Sequence, residues 1–203
     1  MLLTVTGNTT ADNSSSYMWY EQMPKIFNSS MGNPMWLPLM AIGVTIDTVT
    51  NRERHALGID QPSFYPATQN MLSYGIKYPT VQIYQKYAID TARFLGANES
   101  IAEKDMKEVI AFEILLAKSS AKETARNASL VNSTTVGELP DFPCGNDCPE
   151  KNLETPSWQK YFDNIFQTAG INNVTIKSND SVILMNPQYF EALVPILNET
   201  NPR

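Results

Sequence analysis

Histidine occurs once in this chain of 203 residues, at His55, and cysteine twice, at Cys144 and Cys148. A structural zinc site takes four ligands, mostly Cys and His, so the chain is short of donors for one. A Cys-His nucleophile would need a free thiol beside His55, and a strand residue with a satisfied ring is the simpler reading of that histidine. Runs of one charge are also lacking. Fifteen Lys plus Arg against 21 Asp plus Glu give a formal charge of -6, and with no basic cluster the electrostatic footprint of nucleic-acid binding is missing. No Gly-rich loop cradles a phosphate. The apolar stretch from Ile110 to Ala117 is broken by Glu113 and falls well short of the roughly 18 residues a bilayer-spanning helix needs. The start, Met1-Leu2-Leu3-Thr4-Val5-Thr6-Gly7, has no basic lead and too short an apolar run for a secretory signal. Charges at helical spacing, such as Asp90 with Arg93 and Glu103 with Lys107, read as solvated helix faces. The sequence therefore offers no catalytic and no metal-ligating residue.

What the chain has in excess is Asn-x-Ser/Thr triplets. There are nine, at Asn8, Asn13, Asn28, Asn98, Asn127, Asn132, Asn173, Asn179 and Asn198, none with proline in the middle. Random placement of its asparagines, serines and threonines would give about 3. Each usable triplet must present its amide to solvent with room for a bulky sugar, so nine predict a surface glycosylated in the secretory pathway. Acceptor sites without a targeting segment are reconciled if the chain is an internal piece of a longer secreted or membrane-anchored ectodomain. The cysteines lie in Pro143-Cys-Gly-Asn-Asp-Cys-Pro149. An oxidising compartment favours a Cys144–Cys148 disulfide, with free thiols and a metal as the alternatives. Closing so short a loop contributes only about 2 kcal/mol, so the bridge would pin a surface turn rather than hold the fold.

At 42% hydrophobic and 18% charged residues the chain can bury a substantial core. Residues 1–35, rich in Asn, Ser and Thr, predict a polar, weakly structured lead-in, anchored at most by Met18, Trp19, Tyr20 and Ile26-Phe27. Residues 36–203 predict one lobe. Ile42, Val44 and Ile46 alternate, a polar connection follows at 48–52, and His55, Leu57 and Ile59 alternate again, a hairpin pattern. Prolines 62, 66 and 79 make the stretch to about 80 irregular. From Val81, a helix with Tyr84, Tyr87, Ala88, Thr91, Phe94 and Leu95 on its apolar side stops at Gly96. A second, Ile101 to about Ala117, has apolar residues wider than one stripe, which predicts a central helix with neighbours on more than one side. Residues 119–139 read as polar loop. Thr155-Pro156 predicts a cap and first turn for a helix with Trp158, Tyr161, Phe162, Ile165 and Phe166, whose aromatic stripe reads as core packing. Ser181–Met185 reads as a strand, and Asn186-Pro187 opens a last helix that Pro195 should kink or end. The fold class expected is mainly α, a helical lobe with a small β-hairpin and one short additional strand.

In this order the residues resemble the N-terminal, mostly helical lobe of the neprilysin and endothelin-converting-enzyme family of zinc metallopeptidases. Five stretches carry the resemblance: Gly58-Ile59-Asp60-Gln61-Pro62; Tyr84 and Tyr87 leading to Phe94-Leu95-Gly96; Phe112-Glu113 with Leu116-Ala117, then Arg126 and Glu138-Leu139; Ser157-Trp158 with Tyr161-Phe162; and Val182-Ile183-Leu184 with Pro187, Tyr189 and Leu193. It runs from about Trp36 to Pro202. Ser63 to Ser73 departs from it, as does the placement of the cysteines, which marks a divergent member or a degraded one. The resemblance implies a peptidase whose zinc is held by His-Glu-x-x-His and a later acidic ligand, with the Glu as base on zinc-bound water. Those motifs lie C-terminal to the lobe resembled here. It implies as partners a zinc-bearing C-terminal lobe and peptide substrates, with zinc in the full-length enzyme and none in this chain. The expected setting is extracellular, or the ectodomain of a plasma-membrane protein. Two other readings stand beside it: a complete secreted glycoprotein that lost catalysis and serves as a binding module, and an unrelated helical secreted protein.

Overall fold

A computed structural model describes residues 19–29, 39–47, 49–50, 54–120, 131–144 and 156–200. In chain order the elements are α1 (Trp19–Ser29), β1 (Ala41–Ile46), β2 (His55–Asp60), α2 (Gln69–Ser73), α3 (Pro79–Phe94), α4 (Glu99–Ser119), β3 (Val131–Thr135), a 3-10 turn (Val136–Glu138), α5 (Trp158–Thr168), β4 (Ser181–Met185) and α6 (Pro187–Glu199). Helix predominates, as expected. The strand content is larger than a hairpin plus one strand, because β3 adds an edge strand to a single four-stranded mixed sheet of order β1-β2-β4-β3.

The β1–β2 hairpin forms where the alternation predicts it, with Ile42 opposite Ile59 and Val44 opposite Leu57. Its turn is held by Asp47, whose Oδ1 accepts from the backbone N–H groups of Val49 (3.0 Å) and Thr50 (2.8 Å), the Asx-turn use of an aspartate. β4 runs parallel to β2 and antiparallel to β3. Val182, Ile183 and Leu184 are all buried, the continuous apolar run of a strand covered on both faces. Strand β3, Val-Asn-Ser-Thr-Thr, lies at an edge and carries no apolar alternation. Only its β-branched residues and its pairing with β4 make it a strand, so periodicity gives no sign of it.

Two apolar clusters fill the interior. One gathers the sheet, α1, α5 and α6, with Tyr189, Phe162, Phe190, Met23 and Ile59 fully enclosed. The other lies among α2, α3 and α4, around Leu72, Val81, Ile110 and Ala117. Helix α4 serves both, through Leu116 in the first and Ile110 and Ile114 in the second, and it packs on α2, α3 and α6. The breadth of its apolar face has this cause. Its C-terminus is closed by α2: the Gln69 side-chain amide donates to the carbonyls of Ala117 (3.1 Å) and Ser120 (2.7 Å), two acceptors a helix end otherwise leaves orphaned.

Several local expectations need correction. Trp19 and Met23 of α1 belong to the main core, so this part of the 1–35 stretch is ordered helix, because burying an indole there stabilises by roughly 1.5–3 kcal/mol or more. Helix α2 interrupts the stretch expected to be irregular, its N-terminus capped by Thr68, whose side chain accepts from the Met71 N–H. Ser157 rather than Thr155 caps α5, accepting from the Lys160 N–H, and Thr155 lies outside the described residues. Helix α6 continues through Pro195 to Glu199. Asn186 does precede α6, but in the left-handed region (φ 51°) and without a capping bond from its side chain. That side chain instead donates to Gln61 Oε1 at 2.5 Å, between two buried residues 125 positions apart. Gly96 (φ 99°) ends α3 as expected, and Gly170 (φ 78°) ends α5 in the same way, in a conformation that costs a side-chain-bearing residue energy.

Candidate functional site

The cysteine loop is approached through an aromatic strap. Trp19 Nε1 donates to the Pro143 carbonyl at 2.9 Å and Trp158 Nε1 to that of Pro140 at 2.7 Å, so two buried indoles hold the segment that leads into the loop. Phe142 lies between them, stacked on Trp19 (centroids 5.4 Å apart, planes 10° apart) and edge-on to Trp158, Tyr20 and Tyr161. Cys144 follows directly and is disulfide-bonded; Cys148 lies outside the described residues. The aromatic stripe of α5 is thus core and strap rather than a ligand box. A shallow groove alongside, about 280 Å³, has Asp141 as its one ionisable lining residue, which supplies no acid–base pair for catalysis.

One partly buried ionisable pair stands in the helical half. Tyr84 on α3 donates its hydroxyl to Glu113 Oε1 on α4 at 3.2 Å, and among the described residues Glu113 Oε2 has no hydrogen-bond partner. Burial pushes the Glu113 carboxyl above its usual range, against the opposing pull of the Tyr84 hydrogen bond. Burial first, and the Glu113 charge second, push the Tyr84 phenol up. Both shifts follow from desolvation where α3 crosses α4.

The donor set does not fit the zinc that the family resemblance implies for a whole enzyme. Among the described residues no group of three or more His, Cys, Asp or Glu could hold a metal ion. His55, the sole histidine, is exposed at the first position of β2. No step of peptide hydrolysis is assigned to these residues. Among the described residues no helix is long and apolar enough to cross a membrane.

The acceptor asparagines divide simply. Asn8, Asn13 and Asn127 lie outside the described residues, while Asn28, Asn98, Asn132, Asn173, Asn179 and Asn198 are all exposed. Asn98 caps α4 through Oδ1, which accepts from the N–H and hydroxyl of Ser100, the third residue of its own triplet. These bonds use the oxygen, whereas a sugar would be attached at Nδ2. Asn132 sits on edge strand β3 and Asn198 in the last turn of α6.

A surface that periodicity alone misassigns lies on α3. The expected apolar face included Tyr87 and Phe94. The structure buries Val81, Tyr84, Ala88 and Ala92 against α4 and leaves Ile83, Tyr87 and Phe94 70%, 61% and 90% exposed. At 100° per residue the three exposed side chains fall within a stripe about 40° wide, centred roughly 125° round the helix from the middle of the buried face. Helix α3 therefore has one broad apolar arc, and the edge of it that carries Ile83, Tyr87 and Phe94 has no cover among the described residues. Its flank is charged, with Asp90 paired to Lys86 and Arg93, and Arg93 to Glu99 at 3.2 Å. An unusually broad set of apolar positions was the only sign of this in the sequence.

The model of peptidase family M13, in its N-terminal-domain form, matches residues 2–203. Neprilysin-21 of Caenorhabditis elegans is 27% identical over 191 residues, covering 93% of this chain and 22% of the relative. Neprilysin-2 of Drosophila melanogaster is 27% identical over 190 residues (93% and 22%), and Neprilysin of Mus musculus 26% over 162 residues (75% and 21%). The chain spans about a fifth of the length of these relatives. On the match across its length, the chain belongs to peptidase family M13 and represents the family's N-terminal domain.

Proposed function

We propose that this chain is the non-catalytic, substrate-enclosing lobe of a neprilysin-like zinc metalloendopeptidase and that it carries no zinc site itself. The family match across residues 2–203 is the observation that carries this reading. In this arrangement zinc, the His-Glu-x-x-His pair and the general base belong to a further lobe, which binds and cleaves peptides, and the helical lobe supplies walls that exclude large substrates. The donor set described above supports that division of labour. The setting is extracellular or the ectodomain of a plasma-membrane protein, with sugar at the exposed acceptor asparagines and a Cys144–Cys148 bridge.

Two measurements test the proposal. The full-length transcript that encodes residues 1–203 should continue into a His-Glu-x-x-His segment, and the purified chain alone should leave a fluorogenic peptide intact with or without added zinc. Chelator-sensitive cleavage by the isolated chain would overturn it, as would a transcript without the histidine pair, which would favour an inactive secreted binding module. Glycosidase treatment of secreted chain, followed by peptide mass spectrometry, should find sugar-derived deamidation at Asn98, Asn173 and Asn179.

A further inference from the structure

Most of the exposed apolar residues lie in one stretch of chain free of acceptor triplets, most of the exceptions standing beside Asn98 and Asn173. No Asn-x-Ser/Thr triplet occurs between Asn28 and Asn98. Of the fifteen large hydrophobic side chains left exposed among the described residues, eleven, from Val44 to Leu95, lie in that interval. An N-glycan keeps the surface around it wet and sterically occupied, so a face that must be covered by protein cannot carry one. The longest regular element in this acceptor-free interval is α3, a 16-residue helix whose buried face is anchored on α4 and whose exposed stripe lies beside that face. Aligned apolar side chains on the exposed face of a fixed helix are what a partner surface packs against. A solvated helix would place polar residues there.

Resting on the reading of the chain as one lobe of an M13 peptidase, we propose that the Ile83–Tyr87–Phe94 stripe of α3 is the face on which the remainder of the peptidase polypeptide docks. Two observations identify the occupant. The chain spans about a fifth of its relatives' length, which leaves a much larger polypeptide of the same family to be covered by or to cover this domain. The Ile83 and Tyr87 part of the stripe also lies well inside the interval between Asn28 and Asn98 that carries no sugar acceptor, with Phe94 at the end nearest Asn98. Aromatic anchors such as Tyr87 and Phe94 carry a disproportionate share of interface energy, and the charged Lys86–Asp90–Arg93 flank forms a polar rim beside them.

The test co-secretes the tagged chain with the segment of Neprilysin-21 that lies beyond the matched region, and measures its capture. Tyr87→Glu and Phe94→Glu, at exposed positions, should each lower capture about tenfold or more. Ile171→Glu, an exposed apolar position outside the interval, should leave capture unchanged, and all three variants should match the wild type in circular dichroism and urea midpoint. Capture that the α3 variants do not weaken would place the contact elsewhere and overturn the proposal while leaving the lobe reading intact. Absence of capture would overturn it too, as would a homodimer in sedimentation velocity that Phe94→Glu dissolves, since the occupant would then be a second copy. The lobe reading fails independently, through a transcript that lacks the His-Glu-x-x-His segment.

Discussion

Asn186 offers the sharpest test of how the sheet is joined to the last helix. Its backbone sits at φ 51°, ψ 67°, and its amide donates to Gln61 Oε1 at 2.5 Å, both side chains being at most 4% exposed. Asn186→Ala removes the donor from a buried acceptor, at a cost of about 1–3 kcal/mol. It also places a Cβ without local hydrogen bonding in the left-handed region, at a further cost of about 1–2 kcal/mol. Asn186→Gly loses the same donor but tolerates the backbone, so it should be less harmful than alanine by about 1 kcal/mol. Urea unfolding followed by tryptophan fluorescence on secreted chain reads both values, and each kcal/mol corresponds to roughly 2–4 °C in Tm for a domain of this size. A cycle with Gln61→Ala isolates the pair, since that substitution should cost much less once position 186 is alanine. A glycine variant no better than alanine would refute the backbone argument. A loss below about 0.5 kcal/mol in both would refute the buried-pair argument.

Other expectations follow from single contacts. Tyr189→Phe removes the hydroxyl that donates to the Leu39 carbonyl at 2.5 Å in a fully buried setting, and should cost about 1–3 kcal/mol in urea unfolding. Phe190→Ala, in the main core beside Trp158 and Tyr189, should cost about 3–5 kcal/mol and abolish secretion of a folded chain. Glu113→Gln should alter the pH dependence of stability. Because burial raises the folded-state pKa of Glu113 above its unfolded value, this residue costs stability as pH rises through the unfolded value and beyond the folded one. On acidification from neutral pH toward the carboxylate range, the wild type should therefore gain stability relative to the glutamine variant; equal slopes would refute the assignment.

The sequence by itself determined the local elements whose signals are short-range. The β1–β2 hairpin follows from strict alternation, α3 ends at Gly96 because only glycine takes that φ cheaply, and α4 announces neighbours on more than one side through the width of its apolar face. Acceptor triplets and the scarcity of histidine are likewise sequence facts, and they bound the chemistry without any coordinates. The tertiary structure decided what depends on residues far apart in the chain. Strand β3 has no pattern of its own and exists because β4 offers it a partner. Helix α1 is ordered because Trp19 finds Pro143 and Phe142, more than a hundred positions away. Asn186 gives up capping because Gln61 lies within reach. Which part of the broad apolar arc of α3 is buried was also beyond the sequence: hydrophobic side chains span the whole arc, and only the position of α4 makes Val81 and Ala88 interior while Tyr87 and Phe94 remain outside. Periodicity records that a helix has apolar faces, but burial is a property of what stands opposite each one.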